Sequence, residues 1–261
     1  MRILVTGAAR AIGRATVEEC VRRGHEVVAT ARDPKLLDDL DAADRLPLDV
    51  RDLSSVRDAL DRAGELDAVV SNAALTGSGP IEGFPLERFH DVVDTNTYGP
   101  LRIAQVLIPS WRERGSGVFV HVSSVQGRIA TPLEGAYAAS KHALEALSET
   151  MHYELAHFGI RVVIVEPGYI APGMKPVDPH LGPEAYAELW SQWTGTDGKL
   201  NADGRPGSEI VGTAIADAIE NPDTPLRVPV GADAEMIFSA RRHFDDAGFE
   251  DAMRKTLDLT W

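Results

Sequence analysis

Short apolar runs alternate with longer helix-like segments along the whole chain. Most of the runs are rich in valine, as expected of strands that are buried on both faces of a sheet. They predict strands over residues 3–6, 26–31, 45–48, 68–71, 118–123, 161–166 and 226–230. The segments between them predict helices over residues 12–23, 53–62, 86–112, 136–157 and 208–220.

Strand and helix in alternation predict an α/β fold. Parallel strands joined by right-handed helical crossovers build a doubly wound sheet, so we expect a parallel sheet of about seven strands with helices on both faces. No internal repeat or low-complexity linker interrupts the chain, and 44% of its 261 residues are hydrophobic, enough to fill a sizeable core. A single domain over residues 1–261 follows.

Charge and composition indicate which kinds of partner the protein can bind and in which compartment we expect it. A net charge of −14 argues against nucleic-acid and anionic-membrane partners, which need clustered basic residues. No apolar run approaches the ~20 residues of a membrane span, and the chain enters a strand at once without a signal-peptide layout. We therefore expect a cytoplasmic protein. Cys20 is expected to be a small core residue, and the histidine spacing predicts no metal site.

A glycine loop, Thr6-Gly-Ala-Ala-Arg-Ala-Ile-Gly13, follows the first strand and opens the first helix. Gly7 allows a tight turn, and Gly13 allows close packing of the helix. The free N–H groups and partial positive charge of the helix N-terminus suit a pyrophosphate. The loop therefore predicts dinucleotide binding, with an ordinary strand–helix turn as the alternative.

The end of the second strand indicates which dinucleotide is bound. Sites that prefer NAD usually carry an acid there to bind the ribose hydroxyls. This chain has Thr30 and Ala31 instead, followed by Arg32, and Arg10 of the glycine loop can converge on the same place. Two guanidiniums suit a 2′-phosphate, so NADP is favoured over NAD, unless Arg32 is a solvated charge. Asp33 precedes a proline and is expected to cap a helix.

Further polar residues stand where ligands bind in α/β sheets, at the carboxyl ends of strands. Asp49 can accept a hydrogen bond from an adenine amine, and Asn72 can tie neighbouring strands; both residue types also form turns. Asn96 lies inside a long helical pattern, where asparagine is a mediocre residue. It indicates a bend or a bound water, or else an exposed polar position.

Tyr137 and Lys141 are four residues apart in a predicted helix, so their side chains share one face. A fixed ammonium favours the phenolate and is expected to lower the pKa of Tyr137, which would let the pair move a proton at neutral pH. Ser124, just after the fifth strand, can hold a carbonyl oxygen against the phenol. Such a spacing also occurs by chance, and only its setting supports a catalytic interpretation.

Together these residues resemble the short-chain dehydrogenase/reductase family, of the NADP-preferring carbonyl reductase type, over nearly the whole chain. No single motif is specific, but their order and spacing are. The set comprises TGxxxxIG at residues 6–13, Asp49, SNAA at residues 71–74, Asn96, Ser124, Tyr137-x-x-x-Lys141 and Pro167-Gly168.

The resemblance implies a Rossmann-type fold and four catalytic residues. Tyr137 would be the general acid/base, Lys141 would lower its pKa and hold the nicotinamide ribose, Ser124 would position the substrate oxygen, and Asn96 would anchor a water in a proton relay. Hydride would pass between the nicotinamide and a carbonyl carbon. The expected cofactor-binding residues are Gly7, Arg10, Ile12, Gly13, Arg32, Asp49, Val50, Asn72, Ala73, Tyr137, Lys141, Pro167, Gly168 and Ile170.

Three motifs depart from the family's pattern. Ala11 replaces the middle glycine of the loop, which is tolerable if its φ stays negative and otherwise crowds the pyrophosphate. Ser71 and Ala74 are milder changes. After the Pro-Gly pair the chain reads Tyr169-Ile-Ala-Pro172 in place of a threonine, so one hydrogen bond to the cofactor is expected to be missing.

Substrate choice is expected to lie in an insertion at residues 173–206. Trp190 and Trp193 in its short helical segment, residues 183–193, can form an apolar lid, or else pack the helix onto the domain or a neighbouring subunit. A C-terminal extension, residues 231–261, is expected to be helical to about residue 257. A homodimer or homotetramer is expected, paired through a helix face that carries Leu101, Ala104, Leu107 and Ile108.

The sequence therefore predicts an NADPH-dependent reductase of a ketone or aldehyde, acting on a small molecule and reversible as an alcohol dehydrogenase. One alternative is the same fold used for epimerisation, dehydration or dehalogenation, although relatives that dehalogenate replace the lysine and lose the glycine loop. The other is an NADPH-binding sensor, although such proteins tend to lose the tyrosine or the lysine. The sequence does not reveal which substrate is used.

Overall fold

The computed structural model describes residues 1–173, 181–194 and 204–261, and they form one α/β domain around a parallel sheet. The strand order is β3-β2-β1-β4-β5-β6-β7, and every neighbouring pair is parallel. The predicted fold class and all seven strands are confirmed. The strands are β1 Arg2–Val5, β2 Glu26–Ala31, β3 Asp44–Pro47, β4 Ala68–Ser71, β5 Gly117–Val122, β6 Ile160–Pro167 and β7 Arg227–Val230.

Helices cover both faces of the sheet and bury a core on each. Cys20 lies in one of these cores, as expected. In the described ranges, no helix combines the length and apolarity that crossing a bilayer requires. The helices are α1 Ala11–Arg22, α2 Leu53–Ala63, α3 Leu86–Val93, α4 Gly99–Arg114, α5 Gly135–Ala156, α6 Ala187–Thr194, α7 Glu209–Glu220, α8 Ala232–His243 and α9 Asp246–Leu257.

The helical segment predicted over residues 86–112 is present, but it is not one regular α-helix. A π-helical turn at Asp94–Tyr98 separates α3 from α4. Such a turn inserts an extra residue into the helical repeat and changes which side chains face inward. Here it buries Thr95, Asn96 and Thr97. The irregularity that Asn96 indicated is therefore present.

The prediction that one face of α4 pairs subunits is also partly wrong. Ala104 and Leu107 are buried in the core between α4 and the sheet, so they are not available to a second subunit. Leu101 and Ile108 are only half-buried. The homo-oligomer remains a prediction, without this face as its support.

The predicted C-terminal helical stretch is two helices. Asp245 separates α8 from α9, and its side chain caps α9 by accepting a hydrogen bond from Gly248 N at 2.8 Å. This is an ordinary N-cap, which satisfies one of the free N–H groups of a new helix. The C-terminal extension can therefore change direction and return toward the rest of the domain.

A glycine in β5 makes room for the largest buried side chain. Trp111 of α4 packs on Phe119 with ring centroids 4.5 Å apart, and both are fully buried. A methyl group on Gly117 would overlap the Trp111 indole. The helix therefore lies close to the strand because position 117 has no side chain.

Gly117→Ala is expected to lower the free energy of unfolding by about 1–3 kcal/mol, because a close-packed core tolerates little added volume. Urea denaturation measures it. In a Trp111→Leu background the same alanine is expected to cost much less. Equal costs in the two backgrounds would show that the indole is not the cause.

Candidate active site

The predicted site residues follow the carboxyl ends of β1 to β6, where loops converge on one edge of the sheet. Asn72 ties two of these loops together. Its Nδ2 donates to the carbonyl oxygens of Thr6 and Gly7, at 2.9 and 3.2 Å. The hydroxyl of Thr6 accepts in return from the backbone N–H groups of Asn72 and Ala73. Asn72 therefore joins neighbouring strands, as its position suggested.

The glycine loop needs both of its glycines for local packing. Gly7 has a φ of +65°, and a methyl group there would lie 2.9 Å from the Cα of Ala73. A methyl on Gly13 would overlap the carbonyl of Gly7. Loop and helix are therefore packed as closely as a backbone that contacts a pyrophosphate requires.

Ala11 does not meet the condition set for its extra methyl group. Its φ is +46°, in the left-handed region that favours glycine. An alanine there places Cβ close to the following carbonyl, at a cost of roughly 1–2 kcal/mol. The backbone at Ala11 is therefore strained, and the alanine is not a neutral replacement for glycine at the start of α1.

The start of α1 leaves hydrogen-bond donors available. Arg10 precedes the helix in extended conformation, and no side chain caps the first turn. Arg10 and Arg32 are both exposed, and neither has an ion-pair partner among the residues that the structure describes. Asp33 instead caps the short helix that begins at Pro34, accepting from Lys35 N at 3.1 Å, as predicted. Two free guanidiniums therefore stand at the ends of β1 and β2.

Asp49 is half-buried after β3 and already takes part in a turn. Its Oδ1 accepts from Arg51 N at 3.0 Å, and the Arg51 guanidinium lies 3.6 Å from the same oxygen. Val50 is buried beside Gly99, where a side chain would meet the Val50 Cβ at 2.9 Å. Asp49 therefore has its carboxylate anchored at the edge where adenine recognition was expected.

Tyr137, Lys141 and Ser124 come together at this edge. The Lys141 ammonium lies 5.6 Å from the centroid of the Tyr137 ring and donates to the carbonyl of Val122 at 2.7 Å. Ser124 follows β5, and its hydroxyl interacts with the Tyr137 phenol. The strand end and the helical spacing thus bring the three groups into one cluster.

The expected lowering of the Tyr137 pKa is wrong for this structure. Burial raises the pKa of Tyr137 to about 12, and the Ser124 hydrogen bond only partly opposes it. Burial also lowers the pKa of Lys141 to about 8, against the raising effect of Glu145. Loss of water favours the neutral form of each group and outweighs their mutual attraction. At pH 7 the phenol is therefore protonated.

Asn96 braces the helix that carries the tyrosine. Its Oδ1 accepts from Leu75 N, and its Nδ2 donates to the Leu75 carbonyl and the Ser140 hydroxyl, all at 2.8–2.9 Å. The Ser140 hydroxyl donates in turn to the carbonyl of Tyr137 at 2.7 Å. The side chain of Asn96 thus connects the loop after β4 to α5.

The Pro-Gly turn after β6 is held by a residue that the sequence did not single out. Asp233 of α8 is buried and accepts from Tyr169 N at 2.6 Å. A methyl group on Gly168 would overlap this carboxylate. Ile170 is buried beyond the turn. Asp233 therefore fixes the turn where the nicotinamide was expected, and its only signal in the sequence was its place at a helix start.

Other titratable groups near the cluster were also missed. Glu134 lies three residues before Tyr137, accepts from the Ser78 hydroxyl at 2.6 Å, and burial raises its pKa. His121 of β5 bonds Ser148 at 2.7 Å, and burial, with the charge of Lys141, lowers the pKa of His121 to about 4. The hydrogen-bond partner of each lies far away in the sequence, so no local motif marks either residue.

A fully buried acid lies one residue before the Pro-Gly turn. Both carboxyl oxygens of Glu166 lack a hydrogen-bond partner in the described residues. The nearest cation is Arg128, 3.6 Å away. Burial, with the charge of Glu145, raises the pKa of Glu166 to about 7. Glu166 is therefore expected to titrate near neutral pH, well above the range of an ordinary glutamate.

Part of the predicted insertion, residues 174–180 and 195–203, lies outside the described residues. Its helix α6 is present, with Trp190 and Trp193 half-buried. Gln192 accepts from the backbone N–H groups of Thr260 and Trp261, at 3.0 and 3.3 Å. The helix is therefore joined to the C-terminal segment, which favours the packing interpretation of this helix without deciding its role toward a substrate.

Comparison with known proteins agrees with this architecture. A family model described as short chain dehydrogenase matches residues 1–179. A Streptomyces avermitilis short-chain dehydrogenase structure shares 34% identity at a TM-score of 0.80, covering 97% of each chain. A Burkholderia cenocepacia short chain dehydrogenase, solved with NADP, has the same fold at 24% identity, a TM-score of 0.78, and 100% and 98% coverage. The 3-ketodihydrosphingosine reductase of Bacteroides thetaiotaomicron is 28% identical over 91% of this chain and 90% of its own.

Glu166 predicts how stability depends on pH. Its pKa in the fold, about 7, exceeds the unfolded value near 4.5, so the folded state binds more protons between these limits. Its contribution is greatest below about pH 4.5 and is lost as pH rises through 7. From pH 5 to pH 8, wild type is expected to lose on the order of 3 kcal/mol of unfolding free energy relative to Glu166→Gln. Urea denaturation at both pH values measures this difference.

Glu149→Gln is the matched control. Glu149 is more exposed, and its bond to Arg227 lowers its pKa, so it stays charged from pH 5 to pH 8. This variant is expected to follow wild type. A Glu166→Gln curve parallel to wild type would mean that Glu166 does not titrate in this range.

Proposed function

The chain belongs to the short chain dehydrogenase family and is an oxidoreductase, and from that premise we propose that it reduces a ketone or aldehyde to an alcohol with NADPH. The observation that carries the proposal is the cluster of Tyr137, Ser124 and Lys141 beside the glycine loop. The ketone reductase among the chain's relatives supports this reaction class.

The binding edge fits a phosphorylated dinucleotide. The uncapped first turn of α1 offers N–H groups to a pyrophosphate, beside Gly7, Ile12 and Gly13. We assign Lys141 to the nicotinamide ribose, and Pro167, Gly168 and Ile170 to the nicotinamide. Asp49, Val50, Asn72 and Ala73 shape the adenosine side, where Asn72 acts by holding the loops. When bound, NADPH supplies the hydride for the carbonyl carbon.

The protein's part is to hold the carbonyl oxygen and to deliver a proton to it. Ser124 binds the oxygen, and Tyr137 donates its phenolic proton as negative charge develops there. A phenol with a pKa of about 12 is protonated at neutral pH, which suits the direction of reduction. The positive charge of Lys141 stabilises the phenolate that remains. The water-anchoring role of Asn96 remains a prediction beside its observed role as a brace.

Turnover is tested by the loss of NADPH absorbance with a panel of aliphatic, aromatic and polycyclic ketones and aldehydes. Tyr137→Phe is expected to reduce kcat by about 10²–10⁴-fold, because the proton donor is removed. Tyr153→Phe is the control, since Tyr153 lies exposed on the same helix. NADPH binding without turnover across the panel would shift support to an isomerising or dehydrating enzyme, or to a sensor.

We propose that Arg10 and Arg32 bind the 2′-phosphate of NADP. Both guanidiniums are exposed and have no ion-pair partner in the described ranges, which supports the proposal. Arg32→Asp is expected to lower kcat/KM for NADPH by about 10–100-fold and to leave NADH nearly unchanged, because charged hydrogen bonds contribute ~1.5–3 kcal/mol.

Arg57→Asp makes the same charge change on α2, at another exposed arginine, and is expected to leave the ratio of the two cofactors unchanged. An Arg32→Asp enzyme that keeps its preference for NADPH would remove this assignment.

A further inference from the structure

A buried carboxylate lies one helical turn beyond Lys141. Glu145 is four residues further along α5, on the same face of the helix, and its side chain is only 5% exposed. Its Oε2 accepts from Arg227 Nε of β7 at 2.9 Å. Arg227 also donates to Glu149 at 2.7 Å. One arginine is thus shared between two carboxylates, one buried and one at the surface.

The second oxygen of Glu145 points toward the loop that carries Ser124. Oε1 has no hydrogen-bond partner among the described residues. A methyl group on Gly127 would lie 3.0 Å from this oxygen and 2.5 Å from the Ser123 hydroxyl, which is also buried and unpartnered. The charge of Glu145 is therefore only partly neutralised by Arg227, and it lies behind the cluster of catalytic candidates.

A charge in these surroundings acts strongly on Lys141, because little water screens it. The groups that face Lys141 are His121 from β5 and Tyr137 and Glu145 from its own helix. His121 is neutral at pH 7, and Tyr137 is protonated. Three further charged or titratable groups surround Glu145 itself. They are Glu166 of β6, Arg128 after β5 and Arg227 of β7. Glu145 is therefore the group that favours the charged ammonium.

We propose that Glu145 is a positioning residue for the proposed reduction: its buried carboxylate, held by Arg227, keeps Lys141 charged where the Val122 carbonyl holds the ammonium. This inference rests on the proposed function, in which the charged lysine stabilises the tyrosine. Two residues outside the site's motifs, Glu145 of α5 and Arg227 of β7, would then control the protonation of Lys141.

The direct test is a titration of Lys141 that does not depend on turnover. The chain has five lysines, so the ¹³Cε signals of lysine-labelled protein can be resolved, and Lys141→Arg assigns the relevant one. Wild type is expected to titrate near pH 8. Glu145→Gln is expected to lower that midpoint by about one pH unit, because the opposite charge is lost.

Two further variants separate charge from structure. Glu149→Gln removes the other carboxylate on the same arginine and is expected to leave the midpoint nearly unchanged, because Glu149 lies nearer the surface, where water screens its charge. Arg227→Gln frees the charge of Glu145 and is expected to raise the midpoint. If Glu145→Gln does not fold, the opposite shift in Arg227→Gln still decides the matter.

Turnover gives the functional readout. The kcat/KM for NADPH-dependent reduction is expected to fall as pH rises through the Lys141 midpoint, and Glu145→Gln is expected to move this limb to lower pH. At pH 8 the variant is then expected to lose about fivefold relative to wild type, and at pH 6 about twofold or less. Glu145→Asp, which keeps the charge, is expected to restore the limb.

A uniform loss at all pH values, or an unmoved NMR midpoint in Glu145→Gln, would show a merely structural role and overturn the inference. Wild-type protein that titrates as expected but turns over no carbonyl compound would contradict the proposed reduction instead. The two failures are thus distinguishable.

Discussion

The burial of Lys141 is the constraint on which the rest of the site depends. A lysine is rarely buried without a partner, because removing its charge from water is costly. Lys141 is 3% exposed and has one hydrogen bond, to the carbonyl of Val122. The fold offsets this cost with a carboxylate one turn away, and that carboxylate needs an arginine from the last strand. The geometry of this cluster and the stability of the fold therefore depend on the same contacts.

The loops around this lysine are held by side-chain amides rather than by secondary structure. Asn72 fastens the glycine loop to the end of β4, and Asn96 fastens the next loop to α5. Each satisfies backbone groups that would otherwise be buried without a partner. Both side chains make their hydrogen bonds within the protein, so each fixes the position of its loop.

Local patterns in the sequence predicted the features that depend on neighbouring residues, such as strands and short motifs. Valine-rich runs located all seven strands, and the order of the short motifs led to the right family. The positive φ of Ala11 was not predictable, because alanine has no preference for it and the loop imposes it. The raised pKa of Tyr137 was missed because spacing shows which groups meet but not how much water they lose. His121, Glu166 and Asp233 act through contacts between elements that are distant in sequence.

The contact between Gly168 and Asp233 joins the central sheet to the C-terminal extension. The turn after β6 belongs to the core of the domain, whereas Asp233 belongs to the C-terminal extension. The carboxylate fills the space that a side chain at position 168 would need. A chimera that exchanges the C-terminal segment for one without an acid at position 233 would therefore remove the acceptor of the Tyr169 N–H and leave space beside Gly168.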